Sequence, residues 1–222
     1  MTEGKLLIGN RRYSSWSMRG WLAVRLADLD VEVEVVRFVR PGPTPAIAQT
    51  SPNGLAPYLE HRGARVWESL AICEYCAEID PALWPADRIA RAHARAIAAE
   101  MHAGFRGLRQ NMWMNLGRDF SGLGRVPDAL ADIARIEALW ADTRARFGMG
   151  GPFLFGAAFT AADAMFAPVV ARFLGWRPDL SAATRLYMDA VRAFPLVDEW
   201  YAAAAKEPAD WLVADYEKTP GA

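Results

Sequence analysis

Two neighbouring hydroxyl side chains lie in the segment RRYSSWSMRGW, residues 11 to 21. Ser14 and Ser15 follow the apolar run KLLIG and come just before a helical pattern. Serine often begins a helix, because its hydroxyl oxygen accepts a hydrogen bond from a backbone N–H of the first turn. A hydroxyl in this position can also donate a hydrogen bond to a charged reactive group. The segment alone leaves two interpretations open: a helix cap or part of a reactive site.

The cysteines and histidines give weaker signals. Cys73 and Cys76 form a C-x-x-C pair, but the pair falls inside a predicted helix with apolar neighbours, so we predict that both thiols pack in the core. His61, His93 and His102 have no metal-ligand spacing with each other or with the cysteines. We therefore predict no metal site.

The serine pair is placed by an alternation of strand and helix patterns. KLLI (5–8) predicts a short buried strand, and VEVEVVRF (31–38) alternates apolar and acidic residues as a half-buried strand does. In the segment between these two strands, Leu22, Leu26 and Leu29 form an apolar stripe with helical spacing. A strand, a helix and a strand in this order predict two parallel strands joined by a right-handed crossover.

A hairpin and a helix follow a proline-rich stretch. PYLEH and ARVWE, separated by Arg62 and Gly63, predict two antiparallel strands, and SLAICEYCAEI (69–79) predicts a helix with one apolar face. The composition then shifts at DPALWP (80–85). Beyond it the chain is rich in alanine, with one long helix predicted from Asp87 toward Gly117 and others starting near Pro127 and Thr160.

Overall composition restricts the possible classes of protein. The chain has 222 residues, 53 % hydrophobic and 23 % charged, with a net charge of -1, which is typical of a folded soluble protein. It lacks the basic excess of a nucleic-acid-binding surface, an apolar run long enough to span a membrane, and a signal-peptide pattern. With only two cysteines, these features predict a cytoplasmic location without nucleic-acid or membrane partners.

A βαβ unit, a ββα unit and then an all-helical region resemble the cytosolic glutathione S-transferase superfamily over nearly the whole chain. SSWSMR resembles the S-S-C-S-W-R element of the zeta class, with Trp16 in place of its cysteine. The resemblance implies that Ser14 donates a hydrogen bond to the glutathione thiolate, with Ser15 as the rival and Tyr13 as a third candidate. It also implies that Trp16 contacts glutathione.

The segment SPNGLAPYL resembles the family's N-P-x-G-x-V-P-x-L element, whose proline is cis. The resemblance implies that Leu55, Ala56 and Pro57 bind glutathione, with backbone groups of Ala56 pairing with its cysteinyl part. The family often has Lys or Gln at the position of Leu55, so a contact to the glycyl carboxylate is expected to be absent or supplied elsewhere.

WESLAICEY resembles the family's E-S-x-A-I element. Glu68 and Ser69 come just before a helix, whose first backbone N–H groups lack partners and attract a carboxylate. The resemblance implies that the pair binds the γ-glutamyl end of glutathione, with Glu68 accepting from its ammonium group. GAAFTAADAMFAP adds a T-x-x-D capping box, Thr160 with Asp163, which has a structural role.

The segment QNMWMNL and the arginines before it are candidates for an electrophile cleft. Met112, Trp113 and Met114 are consecutive, so they cannot all face the core, and we predict that Met112 and Trp113 face the cleft. Arg109, and with it Arg106, could bind an anionic substrate there, although an exposed surface is the default for an arginine.

These observations predict a thioredoxin-like βαβ-ββα domain over residues 1–83 that binds glutathione. An all-helical domain over residues 87–222 is predicted to bind the substrate. The predicted function is that of a glutathione transferase acting on a small hydrophobic electrophile, with glutathione as co-substrate and no metal. The alternatives are a glutathione-dependent isomerase of the maleylacetoacetate type and a non-catalytic interaction protein of this fold. A homodimer is expected from the resemblance.

Overall fold

The computed structural model describes residues 2–219 and begins with a four-stranded mixed sheet. Its strands are β1 (Gly4–Gly9), β2 (Val31–Val36), β3 (Tyr58–His61) and β4 (Ala64–Trp67), in the order β2-β1-β3-β4. β1 pairs parallel with β2 and antiparallel with β3. The β3–β4 hairpin turns at Arg62 and Gly63, both at positive φ, as a tight two-residue turn requires. The predicted sheet is confirmed.

Helices cover both faces of this sheet. α1 (Ser15–Leu26) and α3 (Ser69–Ile79) pack on one face, and the short α2 (Pro45–Thr50) packs on the other. Leu6 and Ile8 therefore belong to the main core, whereas Leu7 packs with Ile47 of α2. Burial from both sides explains why β1 has a continuous apolar run instead of an alternating one.

The second half of the described chain is helical. Its helices are α4 (Arg88–Ala103), α5 (Arg106–Asn111), α6 (Pro127–Phe147), α7 (Ala161–Trp176), α8 (Ala182–Ala193), α9 (Pro195–Ala205) and α10 (Ala214–Glu217). α7 is buried on nearly all sides and packs against α1, α4 and α8. A helix that is buried on nearly all sides belongs in a core, and this one packs on helices of both the helical region and the sheet region.

The prediction of one long helix from Asp87 toward Gly117 is wrong. It begins as expected, with the Asp87 carboxylate capping the N–H groups of Ile89 and Ala90, but it ends at Ala103. Phe105 has φ 60, a left-handed conformation that breaks the hydrogen-bond ladder. The chain becomes helical again in α5, which ends at Asn111, so residues 112–116 are not helical.

The join between the two regions lies where the composition shifts. A short 3₁₀ turn, Pro81–Leu83, follows α3, and α4 starts at Arg88. Leu83 and Trp84 belong to the same buried core as α1 and α7. The division into domains at residues 83 and 87 stays a prediction.

The predicted capping box of α7 is present. The Asp163 carboxylate accepts from the backbone N–H of Thr160 at 2.9 Å and from its hydroxyl at 2.9 Å. It also accepts from the Leu154 N–H and the Tyr187 hydroxyl, both at 3.1 Å. One buried carboxylate thus ties the start of α7 to the preceding loop and to α8.

No helix within residues 2–219 has both the length and the apolar character needed to cross a membrane.

Candidate functional site

A cavity of about 650 Å³ lies between the sheet region and the helical region. Its walls come from the N-termini of α1 and α3, the loops before α2 and β3, and parts of the helical region. Ten predicted site residues line it: Ser14, Ser15, Trp16, Leu55, Ala56, Pro57, Glu68, Ser69, Arg109 and Trp113.

Met112 is the exception among the predicted residues. Its side chain is fully buried and does not line the cavity, whereas Met114 does. The reason is the end of α5 at Asn111, after which the extended chain turns Trp113 and Met114 toward the cavity. Arg106 is exposed and lies outside the cavity lining.

The two serines of α1 have different partners. Ser14 is the helix cap, and its Oγ accepts from the Ser17 N–H at 3.3 Å and shares a 2.7 Å hydrogen bond with the Ser17 hydroxyl. The Ser17 hydroxyl also accepts from the Gly9 N–H, which ties α1 to β1. Ser15 Oγ instead accepts from the Arg172 guanidinium at 3.2 Å. Both serines line the cavity, but only the Ser15 hydroxyl contacts a cation.

Tyr13 also lines the cavity, but its hydroxyl is engaged elsewhere. It donates to the Glu217 carboxylate at 2.5 Å and accepts from the Val213 N–H at 3.4 Å. Burial and the neighbouring Glu217 raise the pKa of Tyr13 well above its usual range. This hydroxyl is therefore poorly placed to donate to a ligand.

The loop before β3 contains the predicted cis proline. The Ala56–Pro57 peptide bond is cis, and both residues line the cavity. The α1 helix approaches this proline so closely that a Cβ on Gly20 would lie 2.8 Å from Pro57 Cγ. Glycine at position 20 thus allows α1 and the cis-proline loop to pack together.

The N-terminus of α3 forms another wall. Glu68 precedes the helix with φ 70, which is unusual for a residue with a side chain. Its carboxylate accepts from Asn53 Nδ2 at 3.1 Å and lies 3.6 Å from His102 Nε2. Ser69 is buried, and its hydroxyl has no partner among residues 2–219. The wall therefore presents a carboxylate, an unpaired hydroxyl and the free N–H groups of a helix start.

Three arginines lie close to the cavity. Arg19 and Arg172 are buried and Arg109 is half-buried, and Arg109 and Arg172 line the cavity. Trp16 lies between two of them, with the guanidinium carbons of Arg19 and Arg109 at 4.7 and 4.5 Å from its ring centroid. Arg109 also donates to the carbonyls of Met101 and Gly104 at the end of α4. Such cation–π contacts hold Trp16 in place.

Burial lowers the pKa of all three arginines. The pKa of Arg109 falls to about 10 and that of Arg172 to about 9, and the pKa of Arg19 also falls well below its usual range. Desolvation by burial is the largest cause for each arginine. The positive charge of Arg109 also lowers the pKa values of Arg19 and Arg172. Within the described part of the chain, none has a carboxylate within 4.0 Å.

Sequence reasoning missed Arg172, Arg40 and Tyr216, all of which line the cavity. Tyr216 of α10 stacks on Tyr13 with 5.1 Å between ring centroids, and its hydroxyl accepts from Arg40 at 3.4 Å. A signal for Arg172 was available, because it is the one charged residue in the apolar run MFAPVVARFLGW. Tyr216 carried no such signal, since a short C-terminal segment reaches the site only by folding back.

A thioredoxin-like sheet domain, a cis proline beside a helix start and an appended helical domain define a protein of the glutathione-transferase class. Residues 13–79 match the family model described as glutathione S-transferase, N-terminal domain, and residues 86–203 match the C-terminal domain. The chain belongs to the glutathione S-transferase family.

A relative from Caenorhabditis elegans, named probable maleylacetoacetate isomerase, is 33 % identical over 110 residues, which is 49 % of this chain. The match spans about half of that relative, 51 % of its length.

Solved structures show the same fold. A glutathione transferase homologue from Burkholderia with bound glutathione has a TM-score of 0.69 at 21 % identity, covering 92 % of this chain and 99 % of that chain. A theta-class glutathione S-transferase from Xanthomonas axonopodis pv. citri, also with glutathione bound, has a TM-score of 0.66 at 22 % identity. That alignment covers 90 % of this chain and 98 % of the other.

Proposed function

We propose that this chain is a glutathione transferase that activates the glutathione thiol for attack on a small hydrophobic electrophile. One observation carries the proposal. The serine pair of α1, the cis-proline loop and the start of α3 all border the same cavity. These three features come from separate parts of the sequence, and each suits a different part of glutathione.

The γ-glutamyl end of glutathione is assigned to the start of α3. Its α-carboxylate is attracted by the free N–H groups and the positive end of the helix. The unpartnered Ser69 hydroxyl adds a donor in the same place. The Glu68 carboxylate accepts from the ammonium group. The backbone N–H and C=O of Ala56, next to the cis proline, pair with the cysteinyl part.

The glycyl carboxylate needs a cation that Leu55 cannot provide. Arg40, on the loop before α2, lines the same cavity and is exposed. We assign this contact to Arg40, which would replace the Lys or Gln that the family often has at position 55. The Arg40 guanidinium makes only long contacts, 3.4 Å to the Tyr216 hydroxyl and 6.0 Å to the Phe38 ring centroid.

Activation of the thiol requires a modest free energy. A thiol with a pKa of about 8.5 is about 3 % ionised at pH 7, and lowering that pKa by about two units takes about 2.7 kcal/mol. A helix N-terminus contributes about 0.3 to 2 kcal/mol, and a hydrogen bond to a charged group about 1.5 to 3 kcal/mol. One serine donor at the start of α1 therefore suffices.

The electrophile is assigned to the part of the cavity lined by Trp113, Met114 and Arg109. A second candidate function is isomerisation of a cis-enedione, favoured by the relative named probable maleylacetoacetate isomerase. Isomerisation would regenerate glutathione, whereas conjugation consumes it. A non-catalytic glutathione-binding protein is the third alternative.

Calorimetry tests the proposal first. Glutathione and S-methylglutathione are titrated into the protein at about pH 6.5 and about pH 8, in two buffers with different ionisation enthalpies. We expect both ligands to bind, with proton release for glutathione alone. A matched Glu68→Gln variant, which keeps the side-chain size, should bind both ligands more weakly. No binding at millimolar glutathione would exclude the proposal.

Turnover assays separate the enzymatic alternatives. A conjugation assay with 1-chloro-2,4-dinitrobenzene should show glutathione consumption. Turnover of a cis-enedione with no loss of glutathione would instead select the isomerase. Proton release on binding with no turnover of either compound class would favour the non-catalytic alternative.

We also propose a homodimer in the cytoplasm. Trp67 of β4, Ile79 at the end of α3 and Ile89 at the start of α4 are large apolar side chains left exposed on adjoining elements. Sedimentation of the wild type and of Trp67→Glu tests the dimer, since a charge in a buried interface should shift the protein to monomers.

A further inference from the structure

Arg172 has more hydrogen-bond donors than partners. It lies on α7, is 5 % exposed and lines the cavity beside the start of α1. An arginine has five N–H donors. Nη1 donates to the Pro168 carbonyl at 3.0 Å, and Nη2 donates to Ser15 Oγ at 3.2 Å. Nε is buried with no partner in the described chain. The guanidinium thus keeps unused donors at the edge of an open cavity.

The groups around Arg172 do not neutralise its charge. Arg109 faces it from α5, Arg19 from α1 and the Tyr216 hydroxyl from α10. Two of these groups are further arginines and the third is a phenol, so none of them is an acidic counter-ion. A buried cation without a counter-ion is costly, so this region is suited to a ligand that brings negative charge.

The two serines differ in how strongly their hydroxyls are polarised. Ser14 Oγ contacts only neutral groups of Ser17. Ser15 Oγ accepts from a charged guanidinium. A hydroxyl whose oxygen accepts from a cation becomes a stronger donor through its own hydrogen, because hydrogen bonds in a chain polarise one another.

We propose that Ser15 is the donor to the glutathione thiolate and that Arg172 is a positioning residue that orients and polarises the Ser15 hydroxyl. This inference rests on the proposed function. The thiol loses its proton to solvent, and Ser15 keeps its own proton while donating a hydrogen bond to the sulfur. Arg172 fixes the Ser15 oxygen from behind, so that the hydroxyl hydrogen points into the cavity, and its charge favours the thiolate.

The test measures the pKa of the bound glutathione thiol. This pKa is obtained from the ultraviolet absorbance of the thiolate in the protein–glutathione complex as pH is varied. We expect Ser15→Ala and Arg172→Met each to raise this pKa by at least about one unit, toward the free value of about 8.5. The double variant should raise it no further than the larger single effect, because the two residues act in series. Arg172→Lys should restore part of the shift, since it keeps the charge. In each of these variants, glutathione affinity measured below the thiol pKa should differ from that of the wild type by less than about threefold.

Two control variants sharpen the result. Arg19→Met removes another buried cation that does not contact Ser15, and it should raise the thiol pKa less than Arg172→Met does. Ser14→Ala should raise it less than Ser15→Ala does. If Arg172→Met does not fold, Arg172→Lys keeps the buried charge, and its non-additivity with Ser15→Ala then carries the test.

Several results would overturn the inference. One is an unchanged thiol pKa in Arg172→Met or, where that variant does not fold, additive effects of Ser15→Ala and Arg172→Lys. Others are a larger effect of Ser14→Ala than of Ser15→Ala, or equal effects of Arg19→Met and Arg172→Met. Arg172 would instead serve the electrophile if Arg172→Met left the thiol pKa intact but lost a preference for 4-chloro-3,5-dinitrobenzoate over its methyl ester. Absence of glutathione binding in the wild type would overturn the proposed function itself, and this inference with it.

Discussion

Glu68 has φ 70 and ψ 126, and this backbone conformation leads to a prediction about stability. A residue with a Cβ in such a sparsely populated region costs about 1 to 3 kcal/mol. Glycine removes that cost but loses about 0.5 to 1 kcal/mol through the greater freedom of the unfolded chain. Glu68→Gly and Glu68→Ala lose the same contacts to Asn53 and His102. We therefore expect Glu68→Gly to be more stable than Glu68→Ala by about 0.5 to 2 kcal/mol.

The assay is urea unfolding of both variants, compared at equal slope so that the midpoints report stability. For a chain of this size, about 1 kcal/mol also shifts the melting temperature by about 2 to 4 °C. Ala131, exposed on α6, gives the matched control. Ala131→Gly lies at an ordinary helical position and should destabilise the protein by about 1 kcal/mol, the opposite sign.

Glutathione affinity completes the test. Both Glu68 variants lack the carboxylate proposed to accept from the ammonium group, so both should bind glutathione about tenfold or more weakly. A Glu68→Ala variant as stable as Glu68→Gly would refute the strain argument. Equal affinity of both variants and the wild type would refute the role of the carboxylate.

Three further predictions concern stability and pH. Asp163→Ala leaves the donors of the capping box buried without an acceptor and should lower the free energy of unfolding by about 3 to 5 kcal/mol in urea titrations, whereas a change below about 1 kcal/mol would contradict that role. Gly20→Ala forces a methyl group against Pro57 and should cost about 1 to 3 kcal/mol and weaken glutathione binding; unchanged values of both would show that the contact adjusts freely. Burial lowers the pKa of His102 below its usual 6.5. Neutral His102 therefore stabilises the folded state above pH 6.5, and this contribution is lost as pH falls through the lower folded pKa. Wild-type stability should decline more steeply on acidification than the stability of His102→Gln. Parallel declines would argue against the lowered pKa.

The order of elements followed from local sequence patterns. The burial of β1, the helical stripe of α1 and the Arg62–Gly63 turn each depend on residues that are close in sequence, although α1 ends at Leu26 and leaves Leu29 of the predicted stripe outside the helix. A periodic pattern or a turn residue acts over a few positions, so it can be recognised without knowing the rest of the fold. The resemblance of four motifs then indicated one family, and the matched domains confirm it.

The helix break after Ala103 was harder to predict from the sequence. Gly104 and Phe105 do not stop a helix by composition alone, since one glycine in a helix is tolerated. The break is stabilised by Arg109, which donates to the carbonyls of Met101 and Gly104. The chain after this break forms only the short α5, which ends at Asn111, and beyond that end Met114 lines the cavity and Met112 does not.

The sequence by itself determined the family, the sheet and three of the segments that border the cavity, because these depend on short-range patterns and recognisable motifs. Only the tertiary structure decided which groups meet there. Ser15 and Arg172 are 157 positions apart, and Tyr13 and Glu217 are 204 positions apart. Contacts over such separations exist only because α7 packs against α1 and the C-terminal segment folds back over the site. Local periodicity does not encode that packing, and it is this packing that sets Ser15 apart from Ser14.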